Sequence, residues 1–231
     1  MKKFTVILCI LLSIFLLPKL YALIRAENAR ELAEQEIIKT IEKGANILDF
    51  SEFSYLSSIP ERAFQIEHLQ RLNVSGTRID NIDKIFIFKD LEHLNIRQTR
   101  IHDISALTQN KALISLDIGA TRVFDLSSLP SFMRLNRLQM DRTFIQSLCP
   151  LNNVENLDWI NLYRSYAKDG SQDCFNDLER DVDEVGGGNS YRQNYIPGTL
   201  YLALVALDRF WETYEWKTVF NAIQSRARED G

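Results

Sequence analysis

The side chains of this chain that could do chemistry are arginines, aspartates and aromatic residues, which suit ligand binding better than catalysis. Its three histidines, His68, His93 and His102, lack nearby carboxylates or cysteines at the spacing of a metal triad or a Ser-His-Asp set. Guanidinium and aromatic groups, by contrast, are enriched where proteins bind partners. The residue types therefore predict no enzyme, no cofactor and no metal site.

An apolar pattern repeats every 22 residues, as from Leu69 to Leu91 (91 − 69 = 22). This period determines where these side chains lie. Numbering each window from its first residue gives columns, and column one is always leucine while column nine is always threonine. The column-one and column-nine residues are Leu69, Leu91, Leu113 and Leu135, and Thr77, Thr99, Thr121 and Thr143. A fixed period of this length is typical of a solenoid, whose units bury their apolar faces only when stacked.

The columns read LxxLxLxxTxIxxI, which resembles the leucine-rich repeat family and is closest to its short bacterial, internalin-like type. The resemblance covers about residues 47–165, with an irregular repeat at each end. It implies an α/β fold, a leucine-rich repeat solenoid with a curved parallel sheet on its concave face, an N-terminal cap helix and a helical C-terminal cap. The family usually has Asn in column nine, bonded to neighbouring turns, and the threonine hydroxyls are expected to replace it there.

Columns three, five, seven and eight should project from the concave face, because side chains alternate along each short LxL strand. These positions carry five arginines and two aspartates, a net charge of +3 on a chain of net charge −4. The predicted binding residues are Arg71, His93, Arg97, Arg137, Asp141, Arg142, Trp159, Tyr163 and Arg164. The alternative is that a solvated sheet simply needs polar residues, with the aromatic side chains covered by the C-terminal segment.

The N-terminus has the pattern of an export signal. Lys2 and Lys3 precede an apolar run, which predicts a signal peptide over residues 1–22 or an uncleaved signal anchor over 4–24. Either places residues 30–231 outside the cytoplasm, in a periplasmic or secreted protein or in one anchored in the inner membrane. The amphipathic stretch 26–44, stopped by Gly44, predicts the N-terminal cap helix.

Residues 166–231 are predicted to form the C-terminal cap segment. It begins as an acidic loop in which Gly186, Gly187 and Gly188 act as a hinge, and a helix follows at about 199–227. Cys149 and Cys174 would form a disulfide in an oxidising compartment and stay free thiols in a reducing one. A bridge would fasten this cap to the end of the repeats.

The favoured interpretation is an exported protein that holds a protein or peptide partner, with a glycan as a further option, on its concave face. One alternative is a membrane-anchored structural scaffold of the envelope. Another is an enzyme with its site in residues 165–231, although no nucleophile and base pair is recognisable there. Removing residues 1–22 deletes three lysines and no acids, so the net charge falls from −4 to −7, which argues against nucleic acid as a partner.

Overall fold

The chain folds as a leucine-rich repeat solenoid, here a computed structural model that describes residues 2–167, 174 and 184–186. One helix, α1 (Lys2–Glu42), precedes the strands. The strands are β1 (Ile47–Asp49), β2 (Arg71–Asn73), β3 (His93–Asn95), β4 (Ser115–Asp117), β5 (Arg137–Gln139), β6 (Phe144–Ile145), β7 (Trp159–Asn161), β8 (Tyr166–Ala167) and β9 (Glu184–Gly186). The concave sheet has the order β1-β2-β3-β4-β5-β7-β9 and is parallel throughout, while β6 and β8 form a separate pair.

The register of the sheet follows the sequence period. From β2 to β7 each residue pairs with its equivalent in the next repeat, so that Leu72 lies opposite Leu94 and Leu138 opposite Ile160. These central residues of the strands are buried, and the residues on either side of them are not. Burying one such leucine contributes about 1.5–3 kcal/mol. Because every repeat supplies one, the core runs without a break along the solenoid.

The convex side consists of short 3-10 helices, which return the chain to the next strand. They span Glu61–Gln65, Ile85–Ile87, Ser105–Gln109, Leu129–Ser131 and Cys149–Asn153. Phe88 and Phe132 are buried behind them, and the equivalent position between them is Asn110. The Asn110 amide donates to the carbonyl oxygens of Ile85 and Phe88, so this polar side chain ties one repeat to the previous one.

Helix α1 caps the first repeat. Its buried positions, Ala29, Ala33, Ile37 and Thr40, follow helical spacing. The helix ends where Gly44 takes a φ of +59°, with the Gly44 N–H donating to Ile41 O and the Ala45 N–H to Thr40 O. This is the Schellman arrangement, which favours glycine. The helix predicted over 26–44 is thus the last part of a longer one, and in the described chain no helix combines enough length and apolar character to cross a membrane.

The threonine column bonds differently from the expectation that its hydroxyls would reach the neighbouring turns. Each of the four hydroxyls donates to the carbonyl oxygen three residues earlier in its own turn, at 2.6–2.7 Å. Threonine lacks the second polar atom with which asparagine could reach further. Within the described repeats, this column joins one repeat to the next only where Ser165 follows Thr143, since the Ser165 hydroxyl donates to Met140 O of the preceding repeat.

The C-terminal end of the array extends beyond Ser165, where the apolar pattern stops. Strand β8 pairs with β6, and β9 adds a seventh strand to the concave sheet, with Val185 opposite Ile160. The hinge expected at Gly186–Gly188 is therefore wrong for Gly186, which ends a strand. The structure also joins Cys149 to Cys174, with their Cα atoms 4.9 Å apart. The helix predicted at about 199–227 lies outside the described residues.

Column eight adopts the left-handed backbone conformation in the repeats that begin at Leu69, Leu91, Leu113, Leu135 and Leu157. Gly76 has a φ of +71°, and its equivalents Gln98, Ala120, Arg142 and Arg164 have φ values of 53–57°. This conformation turns the chain out of the strand and lets the column-eight N–H donate to the next repeat, as from Ala120 to Asp141 O at 2.8 Å. A non-glycine residue held in this way costs about 1–2 kcal/mol.

We expect glycine to be favoured at this column even though it costs about 0.5–1 kcal/mol in unfolded-state entropy. Ala120→Gly should therefore raise the free energy of unfolding by about 0.5–1 kcal/mol and Gly76→Ala should lower it by as much. A Cβ on Gly76 would meet only Ser51 O at 3.9 Å, so no clash confuses the comparison. Urea unfolding measures the free energy of unfolding of both variants.

Ala106→Gly is the matched control, because Ala106 lies in a 3-10 helix and has no positive φ. It should destabilise the protein. If Ala120→Gly destabilises to the same degree, the left-handed strain at this column is not a significant cost.

Candidate functional site

Column five positions the concave face by fixing the turn after each strand. The carboxylate or carboxamide oxygen of this residue accepts the backbone N–H two residues later. This bond occurs at Asp49, Asn73, Asn95, Asp117 and Asn161, with lengths of 2.8–3.1 Å. Such Asx turns release the chain from the strand. After Asn73, Asn95, Asp117 and Asn161 they lead into the left-handed residue of column eight. Most of column five, although it lies on the concave face, is therefore needed for the turns themselves.

The centre of the face is a closed ion cluster. The Arg97 guanidinium reaches across one complete repeat and donates twice to Asp141, from Nη1 to Oδ1 at 2.5 Å and from Nη2 to Oδ2 at 2.7 Å. Asp117 Oδ1 lies 3.7 Å from Arg97 Nη1 on the intervening strand. Two-pronged pairing of this kind is the strong form of an Arg–carboxylate contact. The Asp141 side chain is only 7% exposed, so the pair is largely removed from water.

Gly119 makes this cluster possible. It occupies column seven between Arg97 and Asp141, in the repeat that the guanidinium crosses. A Cβ there would clash with Arg97 Nη1 and would lie 2.8 Å from Asp141 Oδ1. The glycine is thus required by the close approach of a neighbouring side chain and not by a positive φ of its own.

Burial and charge set the protonation of the face. Burial raises the pKa of Asp117, although the Gly119 N–H and the Arg97 guanidinium act in the opposite direction. The Asp141 hydrogen bond raises the pKa of Arg97 above its usual range. Burial, together with the charge of Arg71, lowers the pKa of His93. His93 is consequently neutral at neutral pH and adds no positive charge to the face.

Aromatic and guanidinium groups pair at the C-terminal end of the face. The Arg137 guanidinium lies 4.0 Å from the centroid of the Trp159 ring, and that of Arg164 lies 5.0 Å from the centroid of Tyr163. This contact holds each guanidinium against an aromatic ring, while its N–H groups can still donate hydrogen bonds within the plane of the guanidinium. Trp159 and Tyr163 are both half-buried, which leaves part of each ring exposed.

The predicted face residues divide into two groups in the structure. Arg97 and Asp141, both predicted to bind a ligand, pair with each other, so Arg97 could meet an acidic group of a ligand only by giving up that pair. Arg71, Arg137, Arg142 and Arg164 have no carboxylate within ion-pair distance among the described residues. Three of these four arginines lie on β5, β7 or the turns that follow them, so the available positive charge is concentrated at one end.

Two residues of the face were not singled out from the sequence. Gly119 could have been noticed because it separates Arg97 from Asp141 in one column. Gln139 could have been noticed because it is the one glutamine in a column of aspartates and asparagines. Within the described chain no group of three or more His, Cys, Asp or Glu side chains is placed to hold a metal ion.

Fold and face together define a leucine-rich repeat solenoid with a polar concave sheet. Among solved structures the chain is similar to internalin C2 from Listeria monocytogenes, with 15% identity, 66% of this chain and 74% of that chain covered, and a TM-score of 0.49. It is similar to an internalin, InlF, from the same organism, with 20% identity, coverage of 64% and 52%, and a TM-score of 0.48. It is also similar to a leucine-rich repeat protein of Leptospira interrogans, with 14% identity, 57% of this chain and 41% of that chain covered, and a TM-score of 0.47. No family model and no curated protein matches the chain.

Gly119→Ala should open the ion cluster, because the new methyl group occupies the path of the Arg97 guanidinium. Separating a partly buried pair leaves Asp141 without its partner, and we expect a loss of about 1–3 kcal/mol in the free energy of unfolding. Asp141→Asn should cost a similar amount. Since both changes remove one interaction, the double variant should lose much less than the sum of the two.

Ser75→Ala tests the same column in a repeat without the cluster and should change stability little. Chemical unfolding of the four variants and the parent forms the required cycle. Additive losses in the double variant would show that Gly119 does not act through the Arg97–Asp141 pair.

Proposed function

We propose that this is an exported binding protein that holds an acidic protein segment or peptide on the C-terminal half of its concave face. The observation that carries the proposal is the pairing of Arg137 on β5 with Trp159 on β7, together with that of Arg164 and Tyr163 in the turn after β7. A stacked guanidinium loses little conformational freedom when it binds a carboxylate, because its position is already fixed. Exposed aromatic and arginine side chains are also the usual anchors of binding sites.

Charge supports an acidic partner. The whole chain has a net charge of −4, yet Arg137, Arg142 and Arg164 have no acidic partner at this end of the face among the described residues. The aspartates nearby, Asp117 and Asp141, lie beside Arg97. A ligand carboxylate would therefore meet donors without displacing an ion pair. Complementary charge would also speed the encounter between the two.

Export is supported by the sequence of the N-terminus and by the cysteine pair. Lys2 and Lys3 before an apolar run have the arrangement of a secretory signal. The 4.9 Å between the Cα atoms of Cys149 and Cys174 is within the usual range for disulfides, which persist outside the cytoplasm.

For an exported protein we expect the polypeptide recovered from the envelope or medium to begin at Leu23 and to contain no free thiol. Cleavage after Ala22 removes Cys9, so alkylation before reduction should label neither remaining cysteine. N-terminal sequencing and mass spectrometry of the alkylated protein measure both properties. Full labelling of Cys149 and Cys174 without a reductant would contradict the oxidising location.

The binding site is tested with a display library of random peptides selected on the full exported chain. We expect acidic sequences to be enriched, with an affinity that falls as sodium chloride is raised, since exposed charges are screened. The double substitution Trp159→Ala and Tyr163→Ala should weaken the binding of a synthesised peptide of the selected sequence by about tenfold or more. Fluorescence anisotropy gives the dissociation constant, and urea unfolding verifies that the variant is folded.

Ile87→Ala with Met133→Ala provides the matched control. These two apolar side chains are exposed, at 39% and 56%, but Ile87 ends one 3-10 helix of the convex side and Met133 follows another. The control should bind as the parent does. Equal affinity of all three proteins, or enrichment of no acidic peptide, would rule out the proposed site.

A further inference from the structure

Gln139 breaks the structural rule of its column. In the six strands from β1 to β7 that carry column five, the side chain accepts the N–H two residues later at every position except Gln139. Its extra methylene moves the carboxamide away from its own backbone, so the short Asx bond is not made. The Asp141 N–H, which is its counterpart, has no such acceptor in the described structure.

The Gln139 carboxamide has no hydrogen-bond partner among the described residues. It is half-buried on the concave side of β5, with Asp117 beside it on β4 and Asn161 on β7. Asparagine at this place would complete the turn, as it does at Asn95 and Asn161. The fold therefore gives up a hydrogen bond here and receives nothing visible in return.

The surroundings of Gln139 indicate what its carboxamide could meet. Arg137 precedes it on the same strand and is stacked on Trp159, while Arg142 follows in the turn without an ionic partner in the described structure. From column three to column eight the chain covers no more than about 17 Å, at 3.3 Å per residue. A ligand lying along β5 would meet a guanidinium, a carboxamide and a second guanidinium in that order.

We propose that Gln139 recognises the main chain of an extended acidic peptide, with Arg137 and Arg142 receiving acidic side chains on either side. A carboxamide offers one donor group and one acceptor, which match the carbonyl and N–H of a peptide group. The guanidinium groups match carboxylates in the same way. This inference depends on the proposed function and makes it specific, because it names the residue that selects a peptide over other anions.

The first test exchanges the residues of two repeats. Gln139→Asn should restore the turn bond and raise the urea midpoint, while the affinity for the library-selected acidic peptide falls about tenfold. Asn95→Gln is the reverse change two strands away. It should lower the urea midpoint and leave the affinity as in the parent. Opposite effects on stability and binding cannot arise from a general loosening of the fold.

The second test places N-methyl groups at successive main-chain nitrogens of the same peptide. One position should weaken binding to the parent about tenfold and should have little effect on the already weakened Gln139→Asn variant. That loss of sensitivity would identify the peptide group that Gln139 contacts. Heparin, a sulfated polysaccharide, should compete only weakly.

Three results would overturn the inference. They are unchanged affinity in Gln139→Asn, equal sensitivity of both proteins to every N-methyl group, and strong competition by heparin together with indifference to N-methylation. If the Trp159 and Tyr163 variant still fails to bind while Gln139→Asn binds normally, the proposed face stands and only the role of Gln139 is lost. If both bind normally, the proposed function is lost as well.

Discussion

The buried residue at the centre of each strand is the constraint on which the rest of the structure depends. Leu72, Leu94, Leu116 and Leu138 must face the core together, and a slip of one residue would turn each of them to solvent. The register of the sheet is therefore fixed at one full repeat per strand. Every polar side chain on the concave face inherits its position from that register.

This register explains how residues distant in sequence form one cluster. Arg97 and Asp141 are 44 residues apart, yet they occupy one side of the sheet in alternate repeats. The arginine side chain is long enough to reach from the repeat of β3, past Gly119, to the repeat of β5, provided that no side chain projects from position 119. The same stacking brings Arg137 over Trp159 in the next repeat. The contacts between side chains on this face thus follow from which column each residue occupies.

The sequence predicted the solenoid well, because a constant apolar period reports burial directly. It also predicted which columns face the concave side. It could not divide those columns by role, because Asn73 and Gln139 have similar polarity and only the backbone geometry shows that one closes a turn and the other does not. The seventh strand was missed for a related reason. Strand β9 has Val185 as its single apolar residue and offers no period to detect.

The threonine and glycine positions show how side-chain size limits such predictions. Thr99 and Asn share the ability to hydrogen-bond, but the shorter hydroxyl finds the carbonyl of Ile96 in its own turn before it can reach a neighbour. Gly119 has no side chain with which to indicate a role in the sequence. The importance of Gly119 becomes visible only once the path of the Arg97 side chain is known, because that side chain passes directly over the glycine.

Departures from the repeat carry more information about function than its regular positions. The left-handed conformation of column eight does not mark a functional residue, because Gln98 and Ala120 share the conformation of Arg142. Gln139 is different, since among the described strands it is the one column-five residue that does not make the turn bond, which a shorter amide would make. A position that gives up stability in a fold otherwise consistent at every level is the place where selection for binding is most readily inferred. Trp159 and Tyr163 lie on the adjacent strand and its turn, and the surface these residues share is the part of the sheet least explained by the need to fold.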